Sequence, residues 1–426
     1  MKFIYADAMD FVDPDFDFLN DRNAIGRIVQ TDDEYPHEFL DQAPYDGILV
    51  SRGVVGDVHS QGKYTLPQIM RFRREGARRF LRYGEDKYPG SLLFGDCGAF
   101  TYRDQKFPPY KAADTLQFYA DGGFTHGCSV DHIIFDFDEG NGRPRSEVSE
   151  ATLERYDFTL DLAADFIAQS KGMTRFTPLG VVQGWSATSM AWAAAQLVRM
   201  GYDYLAIGGL VPLKVNQIHA ALSAIRAAIP DRVRLHLLGF GKIEHLPEFE
   251  PYKITSFDTT SPLLRAFKDA VKNYFARDEK GQLSYYTAIR VPQARENSKL
   301  KTKARRGVLN QESTLRMEAL ALDSIRSYAA GDTALENTLE HVLAYWKALN
   351  WREDQDESGQ LRALKKQREI YRRTLTDQPW KSCDCRVCRE GGVETLLFRS
   401  SNRNKRRGMH NLYVFYQHLL AHRQAA

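Results

Sequence analysis

Between residues 1 and 260 the chain alternates short apolar runs with longer amphipathic stretches. The apolar runs are KFIYA, DGILVSRG, SLLFGD, HIIFDF, PLGVVQG, YDYLAIGG, LHLLGFG and ITSFD, several of them closing on a Gly- or Asp-rich turn. Runs of this length, bounded by turn residues, read as buried strands. The stretches SEATLERYDFTLDLAADFIAQS and NQIHAALSAIRAAIP read as helices; in the second, Ile218, Leu222 and Ile225 keep an i, i+4, i+7 stripe. Alternation of eight such β and α units within roughly 250 residues predicts an α/β fold, a (β/α)8 TIM-type barrel. A doubly wound open sheet is the alternative, and the lack of GxGxxG after the first run counts against it.

The pattern changes near residue 265. Residues 265–380 are polar, rich in Lys, Arg, Glu and Gln, and helical in period. ALENTLEHVLAYWKALNW places Leu335, Leu339, Val342 and Trp346 on one side of a helix, and YYTAIRV is the clearest strand signal. The expected organisation is a catalytic barrel over 1–264, a helical insertion over 265–380 and a cysteine-rich tail over 381–426 that completes the barrel.

Composition adds a core but no partner. The 426 residues are 43% hydrophobic and carry a net charge of +3, so the charge count alone demands no nucleic acid. The distribution says more, because basic residues gather at 71–82 (RFRREGARRFLR), 299–306 (KLKTKARR) and 403–407 (RNKRR). Such clusters are footprints for a polyanion, or else solvated helix faces. MKFIYADAMDF does not read as a signal peptide, and no apolar run is long enough to span a membrane. Five cysteines, three of them bunched, make no disulfide framework and suit a reducing cytoplasm.

The bunched cysteines, Cys383, Cys385 and Cys388 in KSCDCRVCRE, supply three thiolates of a tetrahedral zinc site. Their charged neighbours Asp384, Arg386 and Arg389 are unlike the surroundings of core thiols; a redox pair is the other reading. His410 is the first choice for a fourth ligand and His418 the second, with His422 also downstream. Cys97 and Cys128 read as packing or loop residues.

In a barrel, catalytic groups stand at the C-terminal ends of the strands. Those ends give Asp96, Asp136 and Asp138, Gln183, Gly208 and Gly209, and Asp258. Two carboxylates facing one anomeric carbon are equipment for retaining displacement at a sugar. One attacks and the other moves protons. An Asp at a strand end can equally be a helix N-cap, and a glycine pair can be only a tight turn.

The set as a whole resembles the tRNA-guanine transglycosylase superfamily, a (β/α)8 barrel with a zinc-bearing C-terminal subdomain. The similarity covers roughly residues 90–260 and 381–420. It rests on Asp96-Cys97-Gly98-Ala99-Phe100, Val182-Gln183-Gly184, Ile207-Gly208-Gly209-Leu210, Leu237-Leu238-Gly239-Phe240-Gly241 and Phe257-Asp258-Thr259. It rests also on Cys383, Cys385, Cys388 and His410-Asn411. The resemblance implies Asp258 as the nucleophile at C1′, Asp96 as acid/base, and Phe100 stacked on the base. It implies that Asp136 or Asp138, Gln183 and the Gly208-Gly209 backbone bind the purine edge. It implies structural zinc on the Cys3His set.

Two departures point away from tRNA. Val211-Pro212-Leu213-Lys214 lacks the family's glutamate, and Thr259-Thr260-Ser261-Pro262 replaces its Cys-Val-Leu-Pro-Thr-Arg. With the long spacer before Cys383, they resemble the DpdA-type branch, which places 7-deazaguanine bases such as preQ0 in DNA. That branch implies DNA and a free 7-deazaguanine as partners, with accessory proteins of a modification system. A tRNA enzyme and a catalytically silent nucleic-acid-binding subunit are the alternatives.

Overall fold

The computed structural model describes residues 1–57, 61–139, 142–352 and 356–425. The chain forms two compact units, one of Met1–Met9 with Tyr45–Ser261, the other of Asp10–Pro44 with Pro262–Ala426. Both the segment expected as an insertion and the cysteine-rich tail fall in the second unit, together with residues 10–44.

The first unit is a closed parallel barrel of eight strands. They are β1 (Lys2–Ala6), β2 (Gly47–Ser51), β3 (Leu92–Asp96), β4 (His126–Cys128), β5 (Thr177–Val182), β6 (Tyr204–Ile207), β7 (Arg234–Leu237) and β8 (Ser256–Thr259). Closure comes from β8 pairing back on β1, with Phe3 opposite Phe257 and Ile4 opposite Asp258. Ile4, Leu49, Phe94, Cys128, Leu179, Val181, Tyr204 and Ala206 form one buried cluster. Side chains rather than solvent therefore fill the centre, which makes the barrel a packed core and leaves chemistry to its rim.

Helices follow the strands where the 3.6-residue stripes predict them. Glu150–Ser170 starts at Ser149, whose side chain accepts from the Thr152 N–H and satisfies a first-turn donor. Val215–Ala228 buries Ile218, Leu222 and Ile225 completely. The connection from β7 to β8 is a 3-10 segment, Ile243–Tyr252, interrupted by Pro247 and Pro251.

Seven of the eight apolar runs coincide with barrel strands; HIIFDF does not. The fourth strand lies six residues earlier, at His126–Cys128, and residues 132–137 form no strand. The reason is Tyr119, which crosses Gly127 so closely that a Cβ there would sit 2.5 Å from its ring. The position must be glycine, and HGC carries little apolar signal. Beyond Cys128 the chain still follows its neighbour, since the Ser129 N–H donates to the Leu179 carbonyl at 2.8 Å.

The second unit packs helices around a core that includes Ile325, Leu339, Val342, Tyr345 and Leu397. Its strands are a hairpin of β9 (Tyr274–Arg277) with β10 (Leu283–Tyr286) and a short parallel pair of β11 (Ile289–Arg290) with β12 (Leu397–Phe398). The basic cluster at 403–407 is internal to this unit. Arg403 and Arg407 are fully buried; Arg403 pairs with Asp21 at 2.7 Å and with Glu394, and Arg407 donates to the carbonyls of Thr395 and Leu397 at 3.2 Å. These cations are committed to folding rather than to a polyanion. No helix among the described residues is long and apolar enough to cross a membrane.

Candidate active site and metal centre

Three carboxyl groups gather at the C-terminal rim of the barrel. Asp96 ends β3 beside Ser51, its register partner at the end of β2. Its Oδ2 accepts the Gly98 N–H at 3.0 Å, and it also accepts the Ser51 hydroxyl. Gly98 has φ +86°, and a Cβ there would meet the Gly53 nitrogen at 2.6 Å, so only glycine makes this turn. Burial, then the negative charges of Asp131 and Asp258, push the Asp96 carboxyl up to about 7. Near neutral pH it is divided between acid and base forms, the condition for moving a proton in both directions.

Asp258 stands in β8 and is 5% exposed. One oxygen is fixed: Oδ1 accepts the Gly239 N–H at 2.9 Å and faces His236 Nε2 at 3.2 Å. Behind it, His236 Nδ1 lies 2.6 Å from Ser256 Oγ, and Ser256 Oγ lies 2.6 Å from the Tyr204 hydroxyl. If the Tyr204 hydroxyl donates to Ser256 and Ser256 to Nδ1, the proton of a neutral imidazole sits on Nε2 and donates to Asp258. All four side chains are buried. Oδ2 makes no hydrogen bond among the described residues, so Asp258 is held by one oxygen and presents the other.

Asp131, three residues past β4, is the third carboxyl, and the strand misplacement hid it from sequence reasoning. It is buried, accepts Gln183 Nε2 at 2.7 Å and the Cys97 thiol at 3.0 Å, and its carbonyl accepts the Tyr102 hydroxyl at 2.8 Å. Burial raises its carboxyl above the usual range, while the Cys97 and Gln183 bonds oppose the rise. Cys97, read from sequence as packing or loop, is buried and bonded to Asp131 in this cluster. Burial and the Asp131 and Asp96 charges push its thiol well up, so it stays an S–H donor.

The other predicted residues divide into two groups. Gln183 is brought to the cluster, its Nε2 on Asp131 and its Oε1 accepting the Ile134 N–H at 3.3 Å. Gly208 makes room for it: a Cβ there would lie 2.4 Å from Gln183 Nε2. Gly209 adjoins the same amide with φ +71°. Phe100 is 46% exposed on the turn after Asp96, edge-on to Phe135 at 5.8 Å between centroids. Asp136 and Asp138 pair with Arg143 at 2.5 and 2.7 Å.

In the second unit, Cys383, Cys385, Cys388 and His410 bring their ligand atoms within 4.8 Å of one another. His410 Nδ1 lies 3.5, 3.4 and 3.3 Å from the three sulfurs in turn. Its Nε2 donates to the Phe275 carbonyl at 2.7 Å, which leaves Nδ1 as the ligating atom. Tyr274 stacks on the ring at 4.0 Å, and Asn411 accepts the Phe275 N–H at 2.8 Å. The cluster could hold a metal ion. His418 points elsewhere, to the Gly281 carbonyl at 3.1 Å.

No protein-family model matches the chain. A DNA-guanine transglycosylase of Salmonella montevideo is 39% identical over 420 residues, which is 98% of this chain and 96% of that protein. Identity at that level across almost all of both sequences is shared descent of the whole chain, barrel and cysteine-bearing unit together. This chain belongs to the DNA-guanine transglycosylase family of glycosyltransferase enzymes.

Proposed function

We propose that this enzyme exchanges guanine in DNA for a 7-deazaguanine base such as preQ0, through a covalent bond between Asp258 and the deoxyribose. One observation carries the reading. A carboxylate held by a single oxygen, Asp258, shares the rim with a second carboxyl, Asp96, that burial first and then the charges of Asp131 and Asp258 raise to about 7. That is the division of labour a retaining glycosyl transfer needs.

The target guanine leaves the stack, which costs a few kcal/mol. Asp258 Oδ2 attacks C1′, the C1′–N9 bond breaks, and Asp96 gives its proton to the departing guanine. The incoming base then loses its N9 proton to the Asp96 carboxylate. Its N9 attacks C1′ and releases Asp258, so two inversions give net retention. Asp131 and Gln183, already bonded to each other, face the base edge, and Phe100 stacks on its plane. Asp136 and Asp138, committed to Arg143, serve the loop after β4 rather than the base. A base lacking N7 cannot be protonated there to leave, which drives the exchange one way.

The metal we assign to the cysteine cluster is zinc, in a structural role. Tetrahedral bonds of about 2.3 Å to sulfur and 2.0–2.1 Å to nitrogen place sulfur and nitrogen about 3.5 Å apart. The observed spacings of 3.3–3.5 Å fit that figure. Cys383, Cys385, Cys388 and His410 Nδ1 would hold the ion, which supplies fold stability and takes no part in transfer.

The test is incubation of the purified protein with preQ0 and either duplex DNA or tRNA, followed by digestion to nucleosides and mass spectrometry. A 7-deazaguanine deoxynucleoside is expected. The ribonucleoside alone would overturn the DNA assignment. Neither product, together with no exchange of labelled guanine, would favour a silent binding subunit.

A further inference from the structure

Of the three basic clusters in the sequence, the one at 299–306 lines a cleft. The 403–407 cluster is buried and bonded within its own unit. In the 71–82 cluster, Arg71 and Arg74 both reach Glu75, and Arg78 donates to the Tyr83 and Ser91 carbonyls. The 299–306 cluster differs. It lies on the helix Ser298–Arg305, anchored by the buried Leu300. Spacing of four and then three residues puts Lys299, Lys303 and Arg306 along one side of it.

That side forms one wall of a cleft of about 650 Å³, and the other wall is Leu349, Asn350, Trp351 and Arg352 at the end of the helix Leu335–Asn350. Lys303 joins the walls. Its ammonium donates to the carbonyls of Ala348 at 2.7 Å and Trp351 at 2.6 Å, capping the C-terminus of that helix. One cation thus builds the cleft, and the remaining ones are left over. Lys299, Arg306 and Arg352 are exposed, and among the described residues none of them has an ion-pair partner. Three unpaired cations held in a concavity are poor for folding, since they repel one another, and well matched to a polyanion.

We infer that this cleft seats the sugar–phosphate backbone of the DNA substrate, with Lys299, Arg306 and Arg352 contacting phosphates. The inference rests on the DNA-directed reading above and adds to it a binding site separate from the chemistry. Contacts of this kind carry no sequence information. They supply affinity, which offsets the cost of extruding the target base, and they release counterions.

The experiment is fluorescence anisotropy of a labelled duplex against salt concentration, on the full chain and on the double variant Lys299→Ala/Arg306→Ala. Each lost phosphate contact removes about 0.9 from the slope of log K against log salt. The variant should therefore show a slope shallower by about 2 and an affinity lower by roughly tenfold or more at 0.1 M salt. Lys299→Arg/Arg306→Lys, which keeps the charge, should restore the slope, and a thermal melt should show both variants folded. Unchanged slope and affinity in the alanine variant, with the wild type binding duplex normally, would overturn the inference and leave the proposed function standing. A wild type that binds no duplex would overturn the DNA reading itself. A slope change with tRNA but not with duplex would overturn the assignment to DNA.

Discussion

Asp96→Asn tests the electrostatics of the site without touching substrate. An unfolded aspartate titrates near 3.8, and in the fold Asp96 titrates near 7. That rise corresponds to about 4 kcal/mol. The carboxyl opens partly onto the rim, so solvent screening reduces the usable part to about 1–3 kcal/mol. The sign follows from proton counts. Below pH 4 both states hold the proton and nothing is lost. As pH rises from about 4 to about 7 the unfolded chain releases its proton first, so this group's contribution to stability falls. Above 7 the folded protein carries the full cost of holding Asp96 charged in this site. Asparagine keeps the acceptor for Gly98 but has no charge to bury. Urea unfolding of both proteins between pH 4.5 and 8 should therefore give a variant little changed in acid and about 1–3 kcal/mol more stable at pH 8. Titrating groups remote from this cluster are common to both and cancel in the difference. The variant should also lose base exchange, a gain in stability at the expense of activity. A difference that does not vary with pH, or a variant less stable at pH 8, would refute the assignment of a raised Asp96.

Three further outcomes follow from particular contacts. His236→Gln should leave the Gly239 bond to Asp258 but loosen the carboxylate, lowering kcat about 10²-fold with KM for the base little changed; an equal fall in affinity with unchanged kcat would assign His236 a merely structural part. Gly208→Ala should push Gln183 off Asp131, because the new Cβ falls 2.4 Å from the amide nitrogen; isothermal titration with preQ0 should show weakened binding, and retained affinity would remove Gln183 from the base edge. Cys385→Ser should release about one zinc per chain by elemental analysis and lower the melting temperature; a wild type without zinc would refute the structural-metal assignment.

Much of the barrel was legible because its strands are short apolar runs separated by striped helices, two periods that one sequence displays. The cysteine cluster was legible for a similar reason: three of its ligands are neighbours in sequence, and only His410 had to be supplied from a distance. The fourth strand was not legible, since Tyr119 demands glycine at its centre and the apolar HIIFDF nearby is louder. That one displacement left Asp131 out of the rim residues read from the sequence. The cluster itself depends on partners 52 residues apart, Gln183 on Asp131, and the Asp258 clamp on a histidine from the neighbouring strand. Such contacts leave no local pattern. Charge was equally ambiguous: RNKRR and KLKTKARR look alike in sequence, yet Arg403 reaches Asp21 in the interior while Lys299 remains in solvent.

The most direct test of the account is a denaturing trap of protein incubated with guanine-containing duplex DNA and no incoming base. The trapped material is then digested and the peptides mapped by mass spectrometry. The account predicts a DNA adduct on the peptide holding Asp258, absent in Asp258→Ala. An adduct on another residue, or one that persists in Asp258→Ala, would contradict it.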